Sequence, residues 1–294
     1  MRWTPKKRLV VAALLLAVSL ALVAAAAWLL GDRLTAPVAH PAGEIPEGMS
    51  GEAIRFESDS GATISGWWLD SPAEPPRGTA ILLHPLRGSR HAMIGRAQLF
   101  LEADYDALLV DLYAHGESGG GRISLGWQGR HDARAAVAFA RKRAPDQPIA
   151  VIGWSLGGAS ALLAGPLDVD ALVLESVYPA VDQAIENRVA IRLGPLAPAL
   201  APLLRAQIPL RLNCSANDLR PVEKIANAGA PILVLAGTLD EHTTLTETRE
   251  LFARALEPRK LVLFEGANHT DLLRHDPGLY AAEVLGFVDA HLAP

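Results

Sequence analysis

The chain is 294 residues long and half of it is apolar, which suffices for one large α/β domain or two small ones with a sizeable core. Its net charge is −5; Arg2, Lys6, Lys7, Arg8 and Arg33 against Asp32 give residues 1–33 a charge of +4, so the remainder carries −9. An acidic body without a basic run argues against nucleic acid as a partner, and Cys214, the single cysteine, rules out an intrachain disulfide and a cysteine-based metal site.

From Leu9 to Leu30 there are 22 residues without a charge, bounded by Lys6-Lys7-Arg8 and by Asp32-Arg33. At about 1.5 Å per residue such a helix spans the roughly 30 Å core of a bilayer. Residues 1–33 therefore read as a membrane anchor in the cell (inner) membrane, single-pass, with a cytoplasmic N-terminus and an extracytoplasmic domain, because the basic cluster stays inside. The competing reading is a cleaved signal peptide, for which Ala24–Ala27 would be the cleavage region; the hydrophobic stretch is longer than the usual ~7 to 15 residues. Residues 34–51, with Pro37, Pro41, Pro46, Gly43 and Gly48, read as a linker that lifts the domain off the membrane.

From residue 52 to 294 short apolar runs alternate with helix-like stretches. The runs are Ala53–Phe56, Thr63–Leu69, Ala80–His84, Ala107–Asp111, Ile149–Ile152, Ala171–Leu174, Ile232–Ala236 and Leu261–Phe264. This predicts an α/β fold, a mainly parallel sheet of about eight strands with helices on both faces. The covering helices fall near 90–103, 128–143, 156–165, 243–256 and 277–291. Residues 178–212, rich in Ala, Leu and Pro, break the rhythm and read as a small helical cap, in which Leu193, Leu196, Leu200, Leu203 and Leu204 are candidates to line an acyl pocket. Trp67 and Trp68 are adjacent in the second run and should point to opposite faces.

Gly153-Trp154-Ser155-Leu156-Gly157-Gly158 joins the fifth run to a helix. A serine on such a strand-to-helix turn is held in a strained conformation, and the positions two before and two after must lack a Cβ. Its hydroxyl stands clear of the backbone, and the amides of the following turn point where negative charge develops during attack on a carbonyl. A serine hydroxyl needs a base, and the base needs a carboxylate. In open parallel sheets these groups sit beyond the carboxyl ends of strands. Asp240 follows the strand ending at Gly237, and His269 follows the strand ending at Phe264.

The order Ser155, Asp240, His269 resembles the α/β-hydrolase superfamily of esterases, lipases and serine aminopeptidases, over roughly residues 52 to 292. Leu108 to Ser118 is similar to that family's turn after the fourth strand, which is usually structural. His84-Pro85-Leu86 resembles its His-Gly-x segment, with Pro85 in place of glycine; the resemblance makes the Leu86 amide the second oxyanion donor beside that of Leu156. Glu175, at the end of the sixth run, is the main rival for the acid and Asp218 a weaker one. His84 and His115 read as turn residues, His242 as too close to Asp240 to be positioned by it, and the other histidines as lying in helices or the linker. No His-Glu-x-x-His pair is present, and this chemistry requires neither metal nor cofactor.

The sequence thus points to a serine hydrolase that cleaves carboxylic esters or thioesters through an acyl-enzyme, on small-molecule or lipid esters. A serine peptidase with the same triad and a non-catalytic membrane-tethered binding module are the alternatives.

Overall fold

The computed structural model describes residues 4–292, so Arg2 of the basic N-terminal cluster and the last two positions of the 52–294 domain lie outside the described residues. Eight strands form one sheet: β1 (Gly51–Glu57), β2 (Thr63–Leu69), β3 (Thr79–Leu83), β4 (Asp106–Val110), β5 (Ile149–Trp154), β6 (Ala171–Glu175), β7 (Ile232–Gly237) and β8 (Arg259–Phe264). Across the sheet they run β8, β7, β6, β5, β3, β4, β2, β1. Every ladder is parallel except those of β2, which is antiparallel to β1 and to β4. All eight expected strands are present. Their ends shift by one or two residues where pairing outlasts the apolar run, as at Trp154 opposite Glu175 and Arg259 opposite Ile232.

The helices are α1 (Pro5–Thr35), α2 (Ile94–Glu102), α3 (Gly129–Arg143), α4 (Leu156–Leu163), α5 (Val181–Leu193), α6 (Ala197–Arg205), α7 (Ile208–Leu212), α8 (Leu245–Arg254), α9 (Leu272–His275) and α10 (Pro277–Leu292). Alternate residues of the buried strands serve opposite layers, as a period of two requires. Ile81, Leu83, Val151, Leu172 and Leu174 pack with Ala136, Leu162 and Leu251 of α3, α4 and α8. Leu82, Ile152, Val173 and Leu235 pack with Phe100, Tyr280, Val284 and Val288 of α2 and α10. With helices on both faces, the central strands carry continuous apolar runs. Trp67 and Trp68 take opposite faces as expected, and both are buried because neither face is open to water. The helix expected from residue 90 opens as a short 3-10 turn, Arg90–Met93, since the Arg90 amide is drawn to the Asp111 carboxylate, 2.7 Å away.

Part of the stretch read as a linker runs along the body. Val38–Ala39 pairs in parallel with His115–Gly116, the Ala42 amide donates to Glu117 Oε1 at 3.1 Å, and Ile45 and Met49 pack against the core. Proline and glycine punctuate this strap without freeing it, because the amides of Val38, His40 and Ala42 and the side chains of Ile45 and Met49 find partners on the body.

The residues of α1 before Ala27 are almost all exposed, whereas Gly31 and Thr35 are buried against the body. The end of α1 is clamped to the cap made by α5, α6 and α7. Gln207 Nε2 donates to the Ala27 carbonyl at 3.0 Å, and Arg211 donates to the Trp28 carbonyl at 2.6 Å while its guanidinium lies 4.1 Å over the indole. Asp32 Oδ1 receives both Arg211 and Arg122 at 2.9 Å.

Candidate active site

Ser155 sits between β5 and α4 at φ 50, ψ −106, a backbone conformation costly for a residue with a Cβ. The flanking glycines make the turn possible. A Cβ on Gly157 would lie 2.1 Å from the Leu83 carbonyl oxygen of β3, and one on Gly153 2.4 Å from the Gly158 nitrogen. The Ser155 amide donates to the Glu175 carbonyl at 2.7 Å, which ties the elbow to the neighbouring strand. Ser155 and Leu156 share the wall of a small apolar pocket of about 60 Å³ with Leu86, Leu125, Tyr178 and the α5 residues Val181, Ala184, Ile185 and Arg188.

Beyond β7 and β8 the chain forms two loops stitched to each other. The Leu239 amide donates to the Ala267 carbonyl at 2.9 Å, and the Gly266 amide to Thr238 Oγ1 at 2.9 Å. This stitching brings Asp240 and His269 together. Asp240 is 4 % exposed; its Oδ1 accepts the amides of His242 and Thr243 at 2.8 and 2.9 Å, and its Oδ2 accepts His269 Nδ1 at 2.7 Å. With Nδ1 committed as a donor, the tautomer that leaves Nε2 free as a base is fixed. Among the described residues the Ser155 hydroxyl makes no hydrogen bond to His269. The pocket wall bridges the two: Arg188 donates to the His242 carbonyl at 3.5 Å, and the His242 ring is 5.0 Å from that of His269. Burial, and then the proximity of His269, push the His242 imidazole below its ordinary pKa.

The loop carrying Leu86 is built by two histidines. His84 Nε2 accepts the Leu112 amide at 2.9 Å, so its Nδ1 donates to the Pro85 carbonyl at 2.8 Å; His115 Nε2 accepts the Arg87 amide at 3.1 Å, and its Nδ1 donates to the Tyr113 carbonyl at 2.9 Å. Burial, with the neighbouring His115, lowers His84 to about 4, which keeps it neutral. Pro85 needs no N–H here because its carbonyl, not its nitrogen, makes the turn with Gly88.

The rival acids are occupied elsewhere. Glu175 is wholly buried and bound by Arg96 and by the Tyr280 hydroxyl at 2.5 Å, and Asp218 closes a short turn with Ser215. Asp111 accepts the Arg90 amide and guanidinium, as a structural turn should. The leucines considered for an acyl pocket are displaced from it. Leu193 and Leu196 are exposed, Leu200 and Leu204 pack inside the cap and Leu203 is half-buried, because it is the first turns of α5, Val181 to Arg188, that line the pocket beside Ser155.

For a metal, Asp240, His242 and His269 offer ligand atoms within 4.8 Å of one another, but both Asp240 oxygens already accept protein N–H groups. Sequence reading missed Arg96 and Arg188. Each sits on the buried face of its helix, at the spacing of Ala97 and Phe100 in one and of Ala184 and Ile185 in the other, which is the signal that could have found them.

The model of the alpha/beta hydrolase family matches residues 80–283. The uncharacterized protein YqkD of Bacillus subtilis is 23 % identical over 255 residues, covering 85 % of this chain and 83 % of that protein. The uncharacterized protein Rv2307c of Mycobacterium tuberculosis is 27 % identical over 237 residues, 78 % of each chain. Among solved structures, the esterase Pf2001 of Pyrococcus furiosus superposes with a TM-score of 0.73 at 20 % identity, covering 88 % of this chain and 99 % of that one. Est1E of Butyrivibrio proteoclasticus, solved with ferulic acid bound, gives 0.63 at 20 % identity over 82 % of this chain and 100 % of its own.

Proposed function

The chain belongs to the alpha/beta hydrolase family, and on that premise we propose that it is a serine hydrolase cleaving carboxylic esters or thioesters through an acyl-enzyme. The observation that carries this reading is the pairing of Asp240 with His269 at 2.7 Å, on loops beside a strained serine whose amide neighbours open a helix. Catalytic hydrogen bonds commonly tighten only when substrate is present, and the contact between the Ser155 hydroxyl and the imidazole forms in that complex. His269 Nε2 then takes the hydroxyl proton as Ser155 Oγ bonds to the substrate carbonyl carbon. The Leu156 and Leu86 amides receive the oxyanion. When the tetrahedral adduct collapses, the same proton passes from Nε2 to the departing alcohol or thiol, and Asp240 steadies the transient imidazolium. Water repeats the sequence on the acyl-enzyme and releases the acid.

Fluorophosphonate labelling of the full-length chain tests the reading: an adduct on Ser155, lost in Ser155→Ala together with turnover of short-acyl p-nitrophenyl esters, supports it. Activity in Ser155→Ala near that of the native protein would falsify it.

The apolar part of α1, 22 uncharged residues from Leu9 behind a basic cluster, supports a membrane tether with the catalytic body on the far side. The clamp between Trp28, Arg211 and Gln207 would then place the cap at the lipid interface. Carbonate extraction of cells distinguishes a retained anchor from a cleaved leader.

A further inference from the structure

From Arg188 to Leu212 the cap has 25 residues with four arginines and no acid, in a body whose net charge is −9. One side of this stretch is packed: Val189, Ala201, Ile208 and Leu212 are buried. The other side is bare. Beyond α1, six large apolar side chains are exposed among the described residues, and four of them are here: Ile191, Leu193, Leu196 and Leu210, the last two at 60 and 73 %. Arg192 and Arg205 are exposed on the same stretch. An exposed apolar patch of this kind marks a surface that meets another apolar phase.

The attachment of the cap says which phase. α6 packs against the end of α1, and Gln207 and Arg211, which stand before and after Leu210, hold the Ala27 and Trp28 carbonyls in the last turns of the uncharged run. A tryptophan and an arginine at the end of a membrane span sit at the level of the headgroups, the arginine with its stem in the apolar layer and its charge in the polar one. The cap therefore stands where the chain leaves the bilayer. It cannot cross: α5, α6 and α7 have 13, 9 and 5 residues, with prolines at 195, 198, 202 and 209, against the roughly 20 residues a span needs. Helices with one apolar face, basic side chains and no acid lie in the interface plane and favour anionic lipid.

We propose that the outer face of the cap, from Ile191 to Leu210, is a lipid-binding surface that lies in the headgroup layer of a bilayer containing anionic phospholipid. This rests on the tether reading of α1 and is independent of the hydrolase chemistry. The leucines reach the acyl boundary, and Arg192 and Arg205 meet the phosphates. The first turns of α5 line the Ser155 pocket and its last turn carries Ile191 and Leu193, so from Ile185 to Leu193 only about 12 Å of helix separates the pocket wall from the lipid.

The test places one environment-sensitive fluorophore at a time on the full-length chain carrying Cys214→Ala, through Leu196→Cys, Leu210→Cys, Leu16→Cys or Asp168→Cys, in vesicles of phosphatidylcholine with phosphatidylglycerol. Leu16 lies in the exposed shaft of α1, and Asp168 is exposed before β6, at the edge of the sheet away from the cap. Phosphatidylcholine spin-labelled near the headgroup should quench the two cap probes several-fold more than the Asp168 probe, and a spin label at the bilayer centre should quench chiefly the α1 probe. Quenching of the cap probes should weaken several-fold in phosphatidylcholine alone, and likewise when Arg192→Glu and Arg205→Glu are combined. Cap probes no more quenched than the Asp168 probe, beside a quenched α1 probe, overturn the proposal and leave the tether standing. An unquenched α1 probe removes the tether and the proposal with it. Cap probes shielded from aqueous iodide yet untouched by the lipid spin labels point to a protein partner, such as a second copy of this chain, and overturn it as well. Equal quenching with and without phosphatidylglycerol overturns the assignment to anionic lipid.

Discussion

Arg96 grips Glu175 through two N–H···O contacts of 2.8 and 2.5 Å, with both side chains shut away from water. The pair is fastened to the site on two sides. The Glu175 carbonyl holds the Ser155 amide at 2.7 Å, and Arg96 also reaches Asp271, two residues past His269, at 3.1 Å. The Trp154 ring lies 4.7 Å from the guanidinium.

Breaking that pair from one side should be severe. Arg96→Met leaves the Glu175 carboxylate buried with only Tyr280 for company, and removing one partner of a buried ion pair costs about 3–5 kcal/mol. Urea unfolding of the two single variants and of Arg96→Met with Glu175→Leu closes a double-mutant cycle. The double variant should be more stable than Arg96→Met alone, and additive losses would show that the pair is not coupled.

Asp240→Asn should cut kcat by about 10⁴-fold with little loss of stability. The Asn carbonyl can still accept the His242 and Thr243 amides, whereas its amide nitrogen would face His269 Nδ1 and force the imidazole into the tautomer whose Nε2 carries the proton. Steady-state kinetics beside a thermal melt separates the two effects.

Two glycines should respond in opposite ways to a methyl group. Gly157→Ala drives a Cβ to within 2.1 Å of the Leu83 carbonyl, so the elbow must move and soluble yield should collapse. Gly286 lies inside α10 with open space around it, and Gly286→Ala should stabilise by roughly 0.5–1 kcal/mol. Soluble yield reads the first and differential scanning calorimetry the second.

The buried histidines under the Leu86 loop make stability depend on pH. His84 is lowered to about 4 from 6.5, chiefly by burial, and His115 is lowered for the same reason. Between pH 6.5 and about 4 the unfolded chain binds protons that the folded protein rejects, so this contribution is full above 6.5 and is lost as the pH falls through the window. Across that window His84 adds a slope approaching about 1.4 kcal/mol per pH unit, and His115 acts in the same direction. Urea midpoints measured at pH 7.5, 6 and 5 should fall in that order; a flat series contradicts a neutral His84.

The sheet was legible because each central strand is buried on both faces, and burial writes a continuous apolar run such as Ala80 to Leu83. The elbow was legible for a related reason: its glycines are dictated by backbone collisions that no side chain can relieve. Arg96 and Arg188 were not, because the partners that give each its meaning come from strands and loops distant in sequence, and a charged letter in an amphipathic helix reads as solvated until the packing is known. The strap at 36–50 escaped for the opposite reason. Its pairing is made by backbone atoms, which leave no mark in the composition.

The clamp at the end of α1 has a practical bearing on how a detergent-free version of this protein should be cut. Hydropathy alone invites a start at residue 34, which discards Trp28 and Asp32 and strands Arg211 and Arg122 without their shared carboxylate. A start just before Ala27 sheds the greasy shaft yet keeps the hook by which the cap is fastened, and of the two truncations it should be the one that comes out of the cell intact.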